Sequence, residues 1–598
     1  MESTPNLNAE NELAEDLFEA QNEYVAPKHP LDNIALCLSG GGFRATSFSI
    51  GVLSYLHRIK YKEQSLLHSV KFITSTSGGT IANAAYSVSV YRETPFEVFY
   101  TDMRKKLDGQ TLLKKAFDIL KDKSQWTEEG VLKDEHGKET VIKKQRNLIN
   151  AMAKTYDELL VGHATLATIT EAFKNKPGQL PHLEETAFNT TEFNNGLAFY
   201  FQANGHKNFV RFIGNGYLRF ADPAVVNKLK ISDLIASSSC FPGGFEPMLY
   251  PFDYVHAGNA DVTALIKGVR YGHNDPEQMD EVRNKPFSIM DGGIVDNMGL
   301  DCVLKADKSR NRAHKEPFDL ILSCDVTSYF NDPLVKDNKP VTGFYKNFTL
   351  QGIINVFKAS NIVLLLAVAS IFIPYYPIAG YILLVPSLLL VTLYWIGFFK
   401  LRQAKKNKDG TAAVALRHID FFLRLRLRDL LPMLSSRVAS VSQLVGNLFL
   451  KQIRRGQYNF LFQVPAMKDR AIACLVYEFS TAHEPRRLKN LEERDRKWWP
   501  GMKNELMPSP KLQTMVDSAR RMSTTLWFTD GDKQKKDELI ATGQVTVCYS
   551  LIKHICRLEV MDSKYKTDAE LQALKAKLLS DWKRFNAEPQ FMIDKLDA

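Results

Sequence analysis

Two patterns of apolar and polar positions take turns along this chain. Short β-branched and apolar runs, IALCLS from Ile34, SVKFITSTS from Ser69, LAFYFQA from Leu197, FDLILSCDVT from Phe318 and AIACLVYEF from Ala471, are separated by stretches of helical period such as TSFSIGVLSYLHRI from Thr46. That alternation predicts an α/β fold whose sheet is largely parallel, with helices on both faces. Near the end, Thr567 and Glu570 have capping-box spacing ahead of Leu571, Leu574, Leu578, Trp582 and Phe585, which predicts a structural helix. Residues 104–147 are charge-rich with one helical stretch, and read as an insertion with a solvated face that could also meet lipid. No internal repeat is visible.

The second half holds a different pattern. From Asn361 to Lys400 about 40 residues pass with no charge until the last. At ~1.5 Å per residue that is ~60 Å of helix, twice the ~30 Å hydrocarbon core of a bilayer. Pro374 and Pro377 flank Tyr375 and Tyr376, a turn with two aromatic rings suited to a headgroup layer. The pattern predicts a transmembrane helical hairpin, residues 357–375 entering and 378–399 returning, with Lys358 snorkelling at one end. Lys346 and Lys358 precede it; Lys400, Arg402, Lys405, Lys406 and Lys408 follow. Basic flanks at both outer ends place both on the cytoplasmic side. RLRLRD at 424–429 and KQIRR at 451–455 are expected near anionic headgroups, although LRLRLR also alternates as a strand would.

Composition adds three constraints. With 598 residues, 45% hydrophobic and 24% charged, the chain is globular. A formal charge of +10, from 77 basic against 67 acidic residues, is a mild and dispersed excess that suits an anionic membrane surface better than nucleic acid. Seven cysteines, with no C-x-x-C and mostly inside apolar runs, read as buried thiols in a reducing compartment. The acidic opening 25 residues lack a basic region followed by an apolar core, so no signal peptide is expected there. The expected organisation is an acidic lead-in over 1–30, an α/β domain over 31–350, the hairpin with basic flanks over 351–410, and a helical segment with a further apolar strand over 411–598.

Candidate chemistry lies where the apolar runs break. After IALCLS come Gly40, Gly41 and Gly42 and then a helix. Exposed amides at a helix start call for a negative group: a phosphate, a nucleotide pyrophosphate, or the oxyanion of an acyl transfer. The second break, Ser75-Thr76-Ser77-Gly78-Gly79, sets Ser77 at a strand-to-helix turn among small residues, a nucleophile elbow with serine where G-x-S-x-G has its first glycine. A third strand delivers Asp291 into Gly292 and Gly293, where a buried carboxylate of raised pKa could take the serine proton without a histidine. Asp291 could also be a plain turn-former, and Asp296 with Asn297 a second turn. Gly40-x-Gly42-x-x-Ala45 fits a dinucleotide fingerprint as well, with Glu63 near the place of a ribose-binding acid. His314, His418, His483 and His554 are the candidate bases of a histidine-dependent hydrolase, though none stands at a strand end.

Taken in this order, the three motifs resemble the patatin-like phospholipase family, whose members carry G-G-G-x-[KR]-G, G-x-S-x-G and D-G-[GA]. Similar stretches are FNTTEFNNGLAFYF from Phe188, LIASSSCFPGGFEPM from Leu234, DGGIVDNMGL from Asp291 and TTLWFTDGDKQKKDELIATGQVTV from Thr524, the last resembling a closing helix. The likeness covers about 31–330 and, more weakly, 411–556, with Ser75 and Ala45 departing from glycine. It implies a three-layer sandwich around a mostly parallel central sheet, with the membrane hairpin inserted. It also implies Ser77 as nucleophile, Asp291 as base and Gly40, Gly41 and Gly42 as the oxyanion hole, the amides of Gly41 and Gly42 above all. Arg44 would anchor the loop or meet a lipid phosphate. The implied activity is hydrolysis of ester-linked acyl chains of membrane lipids, of phospholipase A or lysophospholipase type, with no cofactor, metal or nucleic acid. The alternatives are a catalytically silent membrane scaffold of the same fold and a nucleotide-binding protein. AIACLVYEF and the segment from Thr524 look like the last strand and helix of that same domain, and one sheet cannot be completed from both sides of a bilayer. Two passes are therefore expected.

Overall fold

The computed structural model describes residues 29–594, apart from 135, 173–180, 205–212, 216–217, 221, 272–285, 313–314, 328–341, 373–376, 407–422, 530 and 533–534. The acidic lead-in before 29, the Tyr375–Tyr376 turn, Lys408, His314 and His418 lie outside the described residues.

Seven strands carry the argument: β1 (Ile34–Leu38), β2 (Val70–Thr76), β3 (Glu185–Glu192), β4 (Leu197–Asn204), β5 (Phe287–Asp291), β6 (Leu320–Asp325) and β7 (Ala471–Leu475). β3, β2, β1, β6 and β7 lie side by side and parallel. β4 and β5 join β3 antiparallel, so LAFYFQA is not one of the parallel strands. Both faces are covered, as a parallel sheet requires. Along β1, Ile34, Leu36 and Leu38 enter one core while Ala35 and Cys37 enter another, the period of two that a strand imposes.

The helices that matter are α1 (Gly42–Arg58), α2 (Gly78–Tyr91), α3 (Ile231–Ser239), α4 (Leu300–Arg312), α5 (Leu350–Ile371), α6 (Pro377–Lys406), α7 (Leu427–Gln443), α8 (Leu450–Gln463), α9 (Lys535–Met561) and α10 (Ala569–Ala587). The larger core takes side chains of α1, α2, α3, α9 and α10; the smaller takes Leu300, Val303 and Ala306 of α4 and Leu461 of α8. A mostly parallel sheet between two helical layers is the expected sandwich. β3, with all eight residues buried, escapes pattern reading because Asn189, Thr190, Thr191 and Glu192 hide its apolar face. α10 starts one residue later than a Thr567 cap would set it: the Asp568 carboxylate accepts the Leu571 N–H, and Thr567 bonds the Lys564 carbonyl instead.

The chain divides into two compact units, one within Met1–Phe330 and Phe449–Ala598, the other within Asn331–Leu448. After the second unit, the chain returns to pair β7 with β6, Cys474 against Cys324, and so extends the sheet begun some 440 residues earlier. The second unit is wider than the expected 351–410. Within it the segments just before α5 and just before α7 are joined, because Leu427 N–H donates to the Phe348 carbonyl at 2.7 Å and Arg426 forms a β-bridge with Thr349, so the alternating RLRLR run leads into helix α7. Within this unit α5 and α6 hold Ile362, Leu365, Leu366, Leu388, Leu389 and Leu393 more than half exposed. The Trp395 indole N–H bonds the Asn361 side chain at 3.3 Å.

Two helices among the described residues are long and apolar enough to cross a membrane, α5 and α9. They differ in surroundings: α5 is largely uncovered, whereas α9 is almost wholly buried in the larger core. The expected second arm lies in α6, which runs through Pro386. KQIRR does not form an exposed basic strip, because Lys451 and Arg454 are buried.

Candidate active site

β2 ends at Thr76 and α2 begins at Gly78, which leaves Ser77 alone to make the turn, at φ 51 and ψ −121. A side-chain-bearing residue rarely adopts this conformation and keeps it only when its surroundings hold it there. Those surroundings are polar and closely bonded. The Ser77 N–H donates to Ser238 Oγ on α3 (2.9 Å), and that hydroxyl donates to the Asn189 carbonyl on β3 (2.7 Å). Asn189 Nδ2 in turn donates to the Ser75 carbonyl (2.7 Å). Ser75, where the motif ordinarily has glycine, is fully buried, and its hydroxyl accepts from Asn83 Nδ2 at 2.9 Å. The extra Cβ is thus accommodated on the side away from the turn. Gly78 has no such freedom, since a Cβ there would overlap the Gly42 carbonyl oxygen.

Sheet register brings Asp291 to Ser77. β2 runs along one edge of β3 as far as the pair Thr76 with Asn189; β5 then takes over that edge, with Asp291 opposite Thr190. The two strands therefore end next to each other, though 215 positions separate their last residues, 76 and 291. Asp291 is 2% exposed, and its Oδ1 accepts the Gly293 N–H at 2.7 Å. Burial raises its carboxyl to about 6, against the lowering pull of hydrogen bonds from the Ser77 side chain and the Gly293 amide. A buried carboxyl that titrates near 6, with a serine hydroxyl close enough to lower its pKa, has the chemistry to accept a proton from that hydroxyl. Among the described residues, no hydrogen bond joins a histidine to Ser77 or Asp291. His554 is buried and driven down to about 3 by burial and by Arg557, and burial also lowers His483.

The glycine loop packs against Ser77: a Cβ on Gly40 would lie 3.1 Å from Ser77 Cβ and 2.5 Å from Asn297 Oδ1. The Gly40 N–H is taken by the Asn297 carbonyl at 3.0 Å. Gly40 therefore shapes the loop and does not offer a donor. Gly41 (φ 138) and Gly42 (φ 58) take conformations that favour glycine, and their amides precede the first intrahelical bond of α1, made by Ala45 N–H to Gly41 O. No acceptor is assigned to either amide among the described residues. The loop is held from a distant part of the chain, as Phe43 N–H donates to the Thr525 carbonyl at 2.9 Å. Arg44 is an anchor. Its guanidinium is buried and donates to the carbonyls of Met522 (2.8 Å) and Arg520 (3.2 Å), and burial lowers its pKa to about 10. A side chain so enclosed has no free face for a lipid phosphate.

Glu63 sits in the turn beyond the far end of α1, a helix of 17 residues and so roughly 25 Å from the glycines. It is too far away for the dinucleotide arrangement. Asp296 and Asn297 do form a turn, with the Asp296 carboxylate accepting the N–H groups of Met298, Gly299 and Asp301. Sequence reading passed over Ser238, Asn189 and Thr525, and read Asn297 only as part of a turn. They support the site through main-chain contacts across the fold, for which a local motif offers no signal.

A family model described as patatin-like phospholipase matches residues 36–304, a span that includes the glycine loop, Ser77 and Asp291. Among solved structures, the chain is similar to human GIVD cytosolic phospholipase A2, at 13% sequence identity and a TM-score of 0.27, over 53% of this chain and 48% of that one. It thus spans about half of that protein's length. No curated protein matches. Residues 36–304 of this chain thus form a patatin-like phospholipase domain.

Proposed function

We propose that this protein is a membrane-embedded serine acyl hydrolase that cleaves ester-linked acyl chains of phospholipid or lysophospholipid with Ser77 and Asp291 alone. The observation that carries the reading is the buried Asp291 carboxyl, brought by sheet register to the end of the strand whose next residue is a serine held at the elbow. Ser77 Oγ attacks the ester carbonyl carbon while its proton passes to Asp291. The carbonyl oxygen becomes an oxyanion facing the amides of Gly41 and Gly42; loss of one such donor typically costs ~10²-fold or more in rate. Collapse of the adduct breaks the C–O bond to the alcohol, which leaves with the proton from Asp291. Water then attacks the acyl-serine, again giving its proton to Asp291, and the fatty acid departs with Ser77 restored. Burial of Asp291 serves this sequence, because a raised pKa makes the carboxylate a better base.

The membrane reading rests on the exposed leucines and isoleucines of α5 and α6, which in water would form an apolar surface far beyond what a soluble chain exposes. α5 and α6 cross as a hairpin, and their basic outer flanks keep the catalytic unit on the cytoplasmic side. α7 exposes Leu434, Val438 and Val441 beside Arg437, which suits an interfacial position at the headgroups. All seven cysteines are buried, so single introduced cysteines can report topology with little background. Cysteines placed at 345 and 590 should react with an impermeant thiol reagent from the same side, and one at 376 from the other. Reaction of 345 and 590 from opposite sides would overturn the hairpin.

The activity is tested by treating the detergent-solubilised chain with a fluorophosphonate, locating the adduct by peptide mass, and identifying products from mixed lipid micelles. A label on Ser77 together with released fatty acid is expected. An unlabelled chain that releases none would favour the silent scaffold.

A further inference from the structure

α8 is the first helix of the catalytic unit after the inserted one, and three of its side chains reach the loops that flank the glycine turn. Gln457 Nε2 donates to Asp296 Oδ1 at 2.6 Å and to the Val295 carbonyl at 3.3 Å. Asp296 belongs to the loop that leads from Asp291 to α4. Its carbonyl accepts from Thr76 Oγ1 (2.9 Å), next to the nucleophile, and the neighbouring Asn297 carbonyl holds the Gly40 N–H. One turn earlier on the same helix, Arg454 forms a buried ion pair with Asp325 at the end of β6, and Tyr458 donates to that carboxylate at 3.1 Å. The residue after Asp325, Val326, donates its N–H to Ser39 Oγ (3.1 Å), and its side chain fills the space where a Cβ on Gly41 would fall. The two loops are joined to each other by Asn297 Nδ2 donating to Thr327 Oγ1 at 3.2 Å.

We infer that Gln457, with Arg454 behind it, is a positioning residue for the reaction: through Asp296 it sets the loop that carries Asp291 and fastens Gly40 against Ser77. The inference rests on the Ser77–Asp291 reading. A carboxylate that already caps three main-chain amides needs a further neutral donor only to fix where its loop sits, and an amide supplies one without changing the net charge. Displacing catalytic groups by about an ångström can cost ~10²-fold in rate while substrate binding is unaffected. A loop loosened at one of its several ties should cost about tenfold.

The test uses the full chain in detergent, with a p-nitrophenyl ester as substrate and fluorophosphonate labelling of Ser77 as the second readout. Gln457→Met keeps the shape and removes the donor; Gln457→Lys keeps a donor of similar reach. Gln457→Met is expected to lower kcat about tenfold with KM within twofold, to slow labelling by a like factor, and to leave the unfolding temperature within about 2 °C. Gln457→Lys should recover most of the rate. If the methionine variant does not fold, Gln457→Asn, which withdraws the amide by one methylene, takes its place with the same expectation. Wild-type kcat in the donor-less variant, or equal losses in the methionine and lysine variants tracking their unfolding temperatures, overturns the inference. Ser77→Ala run in parallel separates the two readings, since its retaining full activity would overturn the dyad itself, whatever Gln457 does.

Discussion

Ser77→Ala and Asp291→Asn are each expected to lower lipid hydrolysis by ~10⁴-fold or more, and the double variant little further, because residues acting as one unit are not additive. The aspartate substitution should have a second, opposite effect on stability. The Asp291 carboxyl titrates near 6 when folded against 3.8 ordinarily, so between those values the folded protein holds a proton that the unfolded chain releases. Stability is therefore full below about pH 4 and falls as pH rises to about 6, by roughly 3 kcal/mol for a shift of about 2 pKa units at 1.36 kcal/mol each. Asparagine does not ionise. Asp291→Asn should accordingly unfold at a higher temperature than the native chain at pH 8, and the difference should shrink towards pH 4. In the native enzyme kcat/KM should climb with pH to a plateau above about 6, as the base loses its proton. His483→Ala and His554→Ala should keep activity within a few-fold. If either matched Ser77→Ala with the fold intact, the two-residue mechanism would be wrong.

Gly42→Ala and Gly78→Ala should have the next largest effect, for a steric reason that the lost hydrogen bonds of an oxyanion hole then amplify. A methyl on Gly42 would overlap the Thr525 carbonyl oxygen, and one on Gly78 would overlap the Gly42 carbonyl oxygen. Both obstacles are main chain, so no side-chain rotation relieves them, and Gly42 is also at positive φ. Turnover should fall ~10²-fold or more, with fluorophosphonate labelling of Ser77 slowing in parallel, because both reactions build charge on an oxygen in the same place. Gly501→Ala, whose Cβ would meet nothing within 4 Å, is the matched control and should change unfolding by no more than ~0.5 kcal/mol. Labelling at the native rate in Gly42→Ala would remove the loop from the reaction. Saturable binding of NAD or ATP that the same substitution abolished would turn the reading towards a nucleotide.

Much of this site is legible without coordinates because its parts are local. Ser77 stands at a strand-to-helix turn, and only small residues fit the crowded backbone beside it, which writes Gly78 and Gly79 into the sequence. The glycine loop and the D-G-G turn are visible for the same reason. Pattern reading fails where burial is polar. β3 is wholly buried and shows no apolar alternation, because Asn189 and its neighbours satisfy their hydrogen bonds against β2, β4 and α3. Arg44 looks from its motif like a phosphate contact or an anchor, and only its burial against the carbonyls of Arg520 and Met522 decides between them.

By itself the sequence determined the local geometry of this protein: where strands break into helices, which turns demand glycine, and which stretch is too long and too apolar for a single bilayer crossing. These follow from sterics and hydropathy acting over a few neighbours. The tertiary structure alone decided that the Gly40 amide is spent on Asn297, leaving Gly41 and Gly42. It alone set Asp291 beside Ser77 through one edge of β3, and placed residues beyond 449 beneath the glycine loop and along the sheet. Each of those outcomes is a contact between residues tens to hundreds of positions apart, and it exists only once burial of the whole sheet has brought them together.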